Sequence, residues 1–190
     1  MIPFEDLANL FTCDVQNRGT LRLDFDEAAY VYKLIKSLGR PRCVEIGRLF
    51  GGSTRLMLAA GGSVLSIDNL SAKSIGGSNE YDIILNVWAA EHELSERLVI
   101  AQEDSREYSN DGYICDILFV DGDHRYEGVK ADFEHWVPTV RVGGHILFHD
   151  SCSARMNSSA RPDVVKYMDE VACQLPRVEE VGSLTHFIKT

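Results

Sequence analysis

The chain has 190 residues, 45% of them hydrophobic and 25% charged, with 19 basic against 29 acidic side chains and a formal net charge of −10 at pH 7. This length suits a single domain with a substantial buried core. The acidic balance, without a basic cluster, argues against a nucleic-acid backbone as partner and favours a small-molecule substrate. No apolar run approaches a membrane span and the cysteines lack C-x-x-C spacing, so we expect a cytoplasmic protein with reduced thiols and no membrane contact.

The first 39 residues predict an arm followed by a helix. Residues 1–23 have no strong periodicity, and the pattern indicates at most a short helix over residues 4–11. Asp24 or Asp26 then offers an N-cap, apolar side chains recur at helical spacing, and Gly39 ends the helix. The arm could also pack on a second subunit of a homo-oligomer through its apolar side chains, which are Phe4, Leu7, Leu10 and Phe11.

Residues 42–60 predict a strand over 42–46, a tight glycine turn and a helix that begins at Ser53. A glycine in such a turn lets a ligand approach the backbone, and the carboxyl end of a strand is where open α/β sheets bind ligands. The glycines do not follow the G-x-G-x-x-G order of dinucleotide sites, which disfavours a nicotinamide cofactor. Their order is Gly47-x-x-x-Gly51-Gly52. A turn that merely lets the helix pack on the sheet is the alternative.

The second predicted strand, 63–67, ends in Asp68, about twenty residues after the first glycine. An acid at this place can hold the ribose diol of a nucleoside cofactor through two acceptor oxygens, although a turn or helix cap is the alternative. Residues 71–79 are polar and contain glycine, which indicates a lid or substrate loop, and a helix is predicted over 80–95.

The remaining chain predicts three further strands, each followed by a helix, and then a terminal hairpin. A third strand over 97–101 precedes a short helix near Arg106, and a fourth over 114–120 is apolar enough to be central in a parallel sheet. The following helix is expected to run until Gly143 and Gly144 stop it, before a fifth strand over 145–148. A last helix then leads into a terminal hairpin with strands over 177–181 and 184–188.

The tally is seven strands, of which the first five alternate with helices. This predicts an α/β fold in one domain over 1–190, with an arm and helix over 1–39 and a core over 40–190. Helices should cover both faces of a mostly parallel sheet.

Three separated motifs resemble the class I methyltransferases that depend on S-adenosylmethionine, in particular methyltransferase family 24. These motifs are Val44–Thr54, Phe119–Val129 and Gly143–Asp150. The chain is similar from about residue 40 to 190 to macrocin and sugar O-methyltransferases, and more distantly to catechol and caffeoyl-coenzyme-A O-methyltransferases. The resemblance implies a Rossmann-like sheet of order 3-2-1-4-5-7-6 and methyl transfer to a hydroxyl of a small acceptor, such as a sugar or natural product.

The resemblance also implies a cofactor groove at the carboxyl ends of strands one to four. Asp68 is expected to face the ribose, and Asp104 with Ser105 to lie near the adenine, although these two could equally cap the short helix that follows. The full set of expected cofactor-binding residues is Glu45, Gly47, Gly51, Ser53, Asp68, Asp104, Ser105 and Asp121.

Asp121 and Asp150 end adjacent strands and would bring two hard oxygen ligands to one point, which suits Mg²⁺. In the catechol-type relatives these positions hold a metal, with an Asn after the second Asp; here that residue is Ser151, and His149 precedes Asp150. His149 could complete a site for a softer ion such as Mn²⁺ or Zn²⁺, or could support the ligands or contact substrate. A charged rim without a metal is the alternative.

His124 is the expected general base, because it lies three residues after Asp121, where the catechol-type relatives carry a catalytic Lys. An imidazole is better matched than an amine to proton transfer near neutral pH. Asp123 is the second candidate base, or could orient the imidazole, and capping of the next helix by His124 is the structural alternative.

Two classes of function remain open from the sequence. One is the methyltransferase, and the other is a nucleoside- or cofactor-binding protein of the same fold without methyl transfer, since a fold does not fix a function. An NAD-dependent oxidoreductase is disfavoured by the glycine spacing.

Overall fold

A seven-stranded β-sheet organises the computed structural model, which describes residues 1–7, 10, 19–71, 79–151, 161–172 and 174–190. In chain order the strands are β1 (Arg42–Ile46), β2 (Ser63–Ile67), β3 (Leu98–Ala101), β4 (Cys115–Val120), β5 (Val140–Phe148), β6 (Arg177–Val181) and β7 (Leu184–Ile188). Their spatial order is β3-β2-β1-β4-β5-β7-β6. The first five strands pair in parallel, whereas β7 runs antiparallel to both β5 and β6. The predicted fold class, strand order and terminal hairpin are confirmed.

The described helices pack around this sheet. They are α1 (Phe25–Leu38), α2 (Gly52–Ala59), α3 (Asn79–Glu91), α4 (Tyr126–Trp136) and α5 (Pro162–Ala172), with 3₁₀ turns at Phe4–Leu7, Ser95–Arg97 and Val137–Thr139. Of the two predicted N-caps, Asp24 is the one that begins α1, through a capping box with Glu27. None of the described helices is both long enough and apolar enough to cross a bilayer.

Two apolar clusters form the core. In β4, Ile117 and Phe119 belong to one cluster and Leu118 and Val120 to the other, as the alternation of side chains along a strand requires. A strand that is apolar and buried on both faces lies in the centre of the sheet, as predicted. Trp136 belongs to the core as well, with none of its surface exposed.

The arm packs on its own chain in the part that is described. Leu7 and Leu10 are buried in the cluster that contains α1 and α2. The backbone of Leu21 lies so close to Gly52 that a Cβ on the glycine would be 2.4 Å from it. Phe11 lies outside the described residues, and pairing of the arm with a second subunit stays a prediction. Residues 72–78, which make up most of the predicted lid, also lie outside the described residues.

Two local predictions are wrong. Gly143 and Gly144 do not stop α4, because the helix already ends at Trp136 and both glycines lie inside β5, where the Gly143 N–H donates to the carbonyl of Lys189 at 2.7 Å. The chain near Arg106 forms turns instead of a short helix. The backbone at Gly143 is held by a hydrogen bond to a distant residue, and the backbone near Arg106 is held by hydrogen bonds within the turn. The residue types alone could not predict either structure.

Candidate functional site

The carboxyl ends of β1, β2, β4 and β5 meet at one edge of the sheet. Because β1 pairs with β2 on one side and β4 on the other, the strand order reverses here, and ligands of open α/β sheets bind at such a point. A small pocket opens beside the end of β4, and its lining includes Asp121, His124 and His149.

The turn after β1 touches the turn after β4. Gly47 has φ +89°, and a Cβ on it would lie 2.1 Å from the carbonyl oxygen of Asp121. Gly51, at φ +74°, is the N-cap of α2. Close approach of two backbones accounts for Gly47 and left-handed geometry for both glycines, and neither position adds a side chain to the turn.

Glu45 lies beneath this turn. Its side chain is completely buried and accepts hydrogen bonds from the hydroxyls of Ser53, Thr54 and Ser66, the last two at 2.5 Å. Burial raises the pKa of the Glu45 carboxyl. Glu45, with Ser53, Thr54 and Ser66, therefore ties β1, α2 and β2 together at this turn, and the contact of Glu45 and Ser53 with a cofactor stays a prediction.

Asp68 holds the turn after β1 from the side. One carboxylate oxygen accepts the N–H groups of Arg48 at 2.8 Å and Leu49 at 2.9 Å, and the other accepts the N–H of Leu70 at 2.6 Å. An ionised carboxylate has about four acceptor sites, so a half-buried Asp68 keeps capacity for a ligand hydroxyl.

The Arg48 side chain forms a buried ion pair that the sequence did not suggest. Its Nε and Nη2 donate to both oxygens of Asp82 on α3, at 2.6 and 2.8 Å, and Nη1 donates to the carbonyls of Ser66 and Ala101 at 2.9 and 3.3 Å. Asp82 also accepts from Gln102 at 2.7 Å. No local pattern marks an Arg in a glycine turn and an Asp in a helix as partners.

Asp104 and Ser105 diverge in the structure. Asp104 lies at the rim and pairs with Arg106, which lowers the pKa of the Asp104 carboxyl to about 2. Ser105 is buried, its hydroxyl donates to Asp132, and its carbonyl accepts the indole N–H of Trp136 at 3.0 Å. Only Asp104 of the two presents its side chain toward solvent at this edge.

Asp121, His124 and Asp150 form a cluster in which one potential ligand atom from each lies within 4.8 Å of the others. His124 Nε2 is 3.1 Å from Asp150 Oδ2 and 3.5 Å from Asp121 Oδ1. It is buried yet makes no hydrogen bond of acceptable angle to any described residue. Asp150 is held at φ +54°, an uncommon conformation for a non-glycine residue.

This donor set fits a divalent cation. Two carboxylates and an imidazole are ligands for Mg²⁺ or Mn²⁺, and neighbouring ligands of an ion bound at about 2 Å lie about 3 Å apart, close to the observed separations. The unsatisfied nitrogen of His124 points into the same space. This cluster differs from the predicted metal site by one residue, since it contains His124 in place of His149, and metal binding stays a prediction.

His149 instead lies behind Asp121. Its Nδ1 is 3.1 Å from Asp121 Oδ1, and its Nε2 is 3.3 Å from Glu27 Oε2, so both ring nitrogens already face carboxylates. Only 6% of His149 is exposed. Of the roles considered from the sequence, the geometry favours support of a ligand over ligation.

Neither candidate base is poised for proton removal in this arrangement. The carboxylates of Asp121 and Asp150 raise the pKa of His124 to about 9, so at neutral pH the free imidazole is protonated. Asp123 is engaged by Arg125, whose hydrogen bonds lower the pKa of the Asp123 carboxyl.

Known proteins are similar to this chain in sequence and in fold. The sequence model of a family described as a methyltransferase domain matches residues 44–151, more than half of the chain. The uncharacterised protein R132 of Acanthamoeba polyphaga mimivirus is 39% identical over 56 residues, which are 30% of this chain and 25% of that protein. The chain spans a quarter or less of the length of the curated relatives it matches.

Solved structures share the fold. An O-methyltransferase from Bacillus cereus in complex with S-adenosylhomocysteine has a TM-score of 0.64 and 18% identity, over 97% of this chain and 90% of that one. The O-methyltransferase TomG from Streptomyces achromogenes, in complex with S-adenosylmethionine and described as involved in tomaymycin synthesis, has a TM-score of 0.63 and 13% identity, over 90% and 82% of the two chains.

Proposed function

The chain belongs to the methyltransferase family whose model covers residues 44–151, and on this basis we propose that it transfers the methyl group of S-adenosylmethionine to a hydroxyl group of a small-molecule acceptor. One observation carries the proposal. The matched segment contains both the glycine turn and the edge from Asp121 to Asp150, and the contact between Gly47 and Asp121 brings them together.

The charge of the site supports this cofactor over a dinucleotide. Asp68, Asp104, Asp121 and Asp150 all lie at the carboxyl edge of the sheet, where their negative potential favours a sulfonium cation and opposes a pyrophosphate. In the proposed complex, Asp68 uses its remaining acceptor capacity for the ribose hydroxyls and Asp104 lies on the adenine side. Gly47 and Gly51 allow close approach of the ligand to the backbone, and Glu45, Ser53 and Ser105 keep the surrounding elements in place.

Methyl transfer from a sulfonium is an in-line displacement, so much of the acceleration comes from holding the acceptor oxygen in line with the methyl group. Asp121, His124 and Asp150 would hold a divalent cation, and when bound this cation would act as a Lewis acid that lowers the pKa of the acceptor hydroxyl. Asp123 remains the nearby carboxylate that can receive the proton if its pairing with Arg125 opens.

The cofactor assignment is tested by calorimetry of the purified protein with S-adenosylhomocysteine and, separately, with NAD. We expect binding of the first alone. Saturable NAD binding with none of S-adenosylhomocysteine would overturn the proposal.

The reaction is tested by mass spectrometry of S-adenosylhomocysteine formed from S-adenosylmethionine with catechols, flavonoids and nucleotide sugars as acceptors. If formation of S-adenosylhomocysteine stops with EDTA and returns with Mg²⁺ or Mn²⁺, the result supports a role for the divalent cation. If EDTA leaves the formation unchanged in metal-free protein, that role is rejected. Tight cofactor binding without product on any acceptor favours the binding protein of the same fold.

A further inference from the structure

Glu27 is buried more deeply than a helix cap requires. It occupies the third position of α1, and its Oε2 accepts the N–H of Asp24 at 2.7 Å, which completes the capping box. A capping glutamate needs only this backbone partner and can stay at the surface, whereas Glu27 is 1% exposed. Burial of a carboxylate is costly unless it is paired and hydrogen-bonded, so its burial here calls for a second role.

The turn between β6 and β7 closes around the same carboxylate. Ser183 donates to Glu27 Oε1 from its N–H at 2.5 Å and from its hydroxyl at 2.9 Å. Gly182 has φ +62°, and a Cβ on it would lie 2.3 Å from Glu27 Oε1. The turn therefore fixes one oxygen of Glu27 and leaves the other directed at the ring of His149.

His149 connects Glu27 to Asp121. Its Nδ1 lies 3.1 Å from Asp121 Oδ1 and its Nε2 lies 3.3 Å from Glu27 Oε2, so the ring cannot turn without losing both contacts. The result is a continuous line of contacts from α1 to the end of β4.

We propose that Glu27 is a positioning residue that fixes, through His149, the direction in which the Asp121 carboxylate faces Asp150 and His124. The inference rests on the proposed function, in which Asp121 serves at the acceptor end of the site. Glu27 lies outside the matched residues 44–151, whereas Asp121 and His149 lie within them. The segment before the family domain thus completes the site.

The first test uses no metal and no substrate. In buffer with EDTA, unfolding is measured for Glu27→Gln, Asp121→Asn and the double variant. Residues in one hydrogen-bonded network couple, whereas separated residues act additively. If the two changes acted independently, their effects on the unfolding equilibrium constant would multiply. We expect the constant of the double variant to depart from that product by about fivefold or more. Additive behaviour within about twofold overturns the positioning role.

The second test uses Mn²⁺ alone, with its binding followed by the electron paramagnetic resonance signal of the free ion. Loss of a residue that orients a metal ligand typically weakens metal affinity by about 10–100-fold, and this is the loss expected for Glu27→Gln. The affinity for S-adenosylhomocysteine should stay within about twofold, which shows that the cofactor side is intact. Ser183→Ala is the matched control, since it removes a hydrogen bond to Oε1 but leaves Oε2 and His149 in contact; it should change neither affinity.

If Glu27→Gln does not fold, His149→Gln takes its place, because a glutamine amide reaches one carboxylate but cannot bridge both. Wild-type Mn²⁺ affinity in that variant overturns the inference. A wild-type protein that fails to bind Mn²⁺ removes the metal from the proposed function, and the coupling measured in EDTA still decides whether Glu27 positions Asp121.

Discussion

The ion pair between Arg48 and Asp82 gives the most direct test of how the turn after β1 is held. Both side chains are almost fully buried, with 0% and 6% of their surfaces exposed. In Asp82→Asn, one of the two charge-assisted hydrogen bonds is lost, since the new amide N–H₂ faces an N–H of the guanidinium. The Arg48 cation then stays buried without an anionic hydrogen-bond partner, with two backbone carbonyls, the Ser66 hydroxyl and one amide oxygen around it.

Removal of one member of a buried ion pair costs about 3–5 kcal/mol, because the other charge is left uncompensated. We expect Asp82→Asn to lower the free energy of unfolding by this amount in a urea titration. The double variant Arg48→Met/Asp82→Leu removes both charges and should recover most of the loss. Glu80→Gln, an exposed carboxylate on the same helix, is the control and should change stability by about 0.5 kcal/mol or less.

A loss below about 1 kcal/mol for Asp82→Asn would refute this reasoning, since it would mean that water or another group compensates the Arg48 charge. Equal losses in the single and double variants would instead show that the site depends on the shape of the two side chains more than on their charges.

Three further outcomes follow from the geometry. Gly47→Ala should destabilise the fold and weaken S-adenosylhomocysteine binding in calorimetry, because its Cβ would meet the Asp121 carbonyl, whereas Gly112→Ala, with φ +70° and open space around it, should cost only about 1–2 kcal/mol of backbone strain. Asp68→Asn should weaken cofactor binding by about 1.5–3 kcal/mol, and unchanged affinity would make Asp68 a structural cap. Burial and His145 lower the pKa of His186 to about 4, so the unfolded chain binds more protons between pH 4 and 6.5. Stability should therefore fall as pH falls through that window, by up to about 1.4 kcal/mol per pH unit, and His186→Gln should remove this slope in pH-dependent urea titrations.

Local pattern was enough where an element is decided by its own residues. The terminal hairpin was predicted at its observed bounds, because Gly182 and Ser183 separate two short strand-like runs. The start of α1 was predicted from two candidate N-caps, Asp24 and Asp26, and the structure uses Asp24. The strand order came from the resemblance of three motifs, since periodicity says nothing about which strands are neighbours.

Local sequence patterns could not predict which side chains contact one another in the site. Glu27 and His149 are 122 positions apart, and Arg48 and Asp82 are 34 apart, so no local spacing relates them. His149 and Asp150 are neighbours in sequence but both lie beyond the end of β5, where Asp150 adopts φ +54°, and His124 reaches the cluster from the turn after β4, so the sequence did not show which histidine joins the two aspartates. Gly143 and Gly144 were misassigned because a glycine pair is compatible with a helix stop and with a strand whose partner, here the chain around Lys189, comes much later.

The closure of the last turn around Glu27 sets an order of events during synthesis. The helix α1 leaves the ribosome early, but Ser183, which donates two hydrogen bonds to its buried carboxylate, is made 156 residues after Glu27. Until then Glu27 must stay hydrated, so α1 cannot dock in its final position and Asp121 lacks its support. Contacts of such long sequence separation form late and slow folding. The five parallel strands are therefore synthesised before the turn between β6 and β7 can close around Glu27.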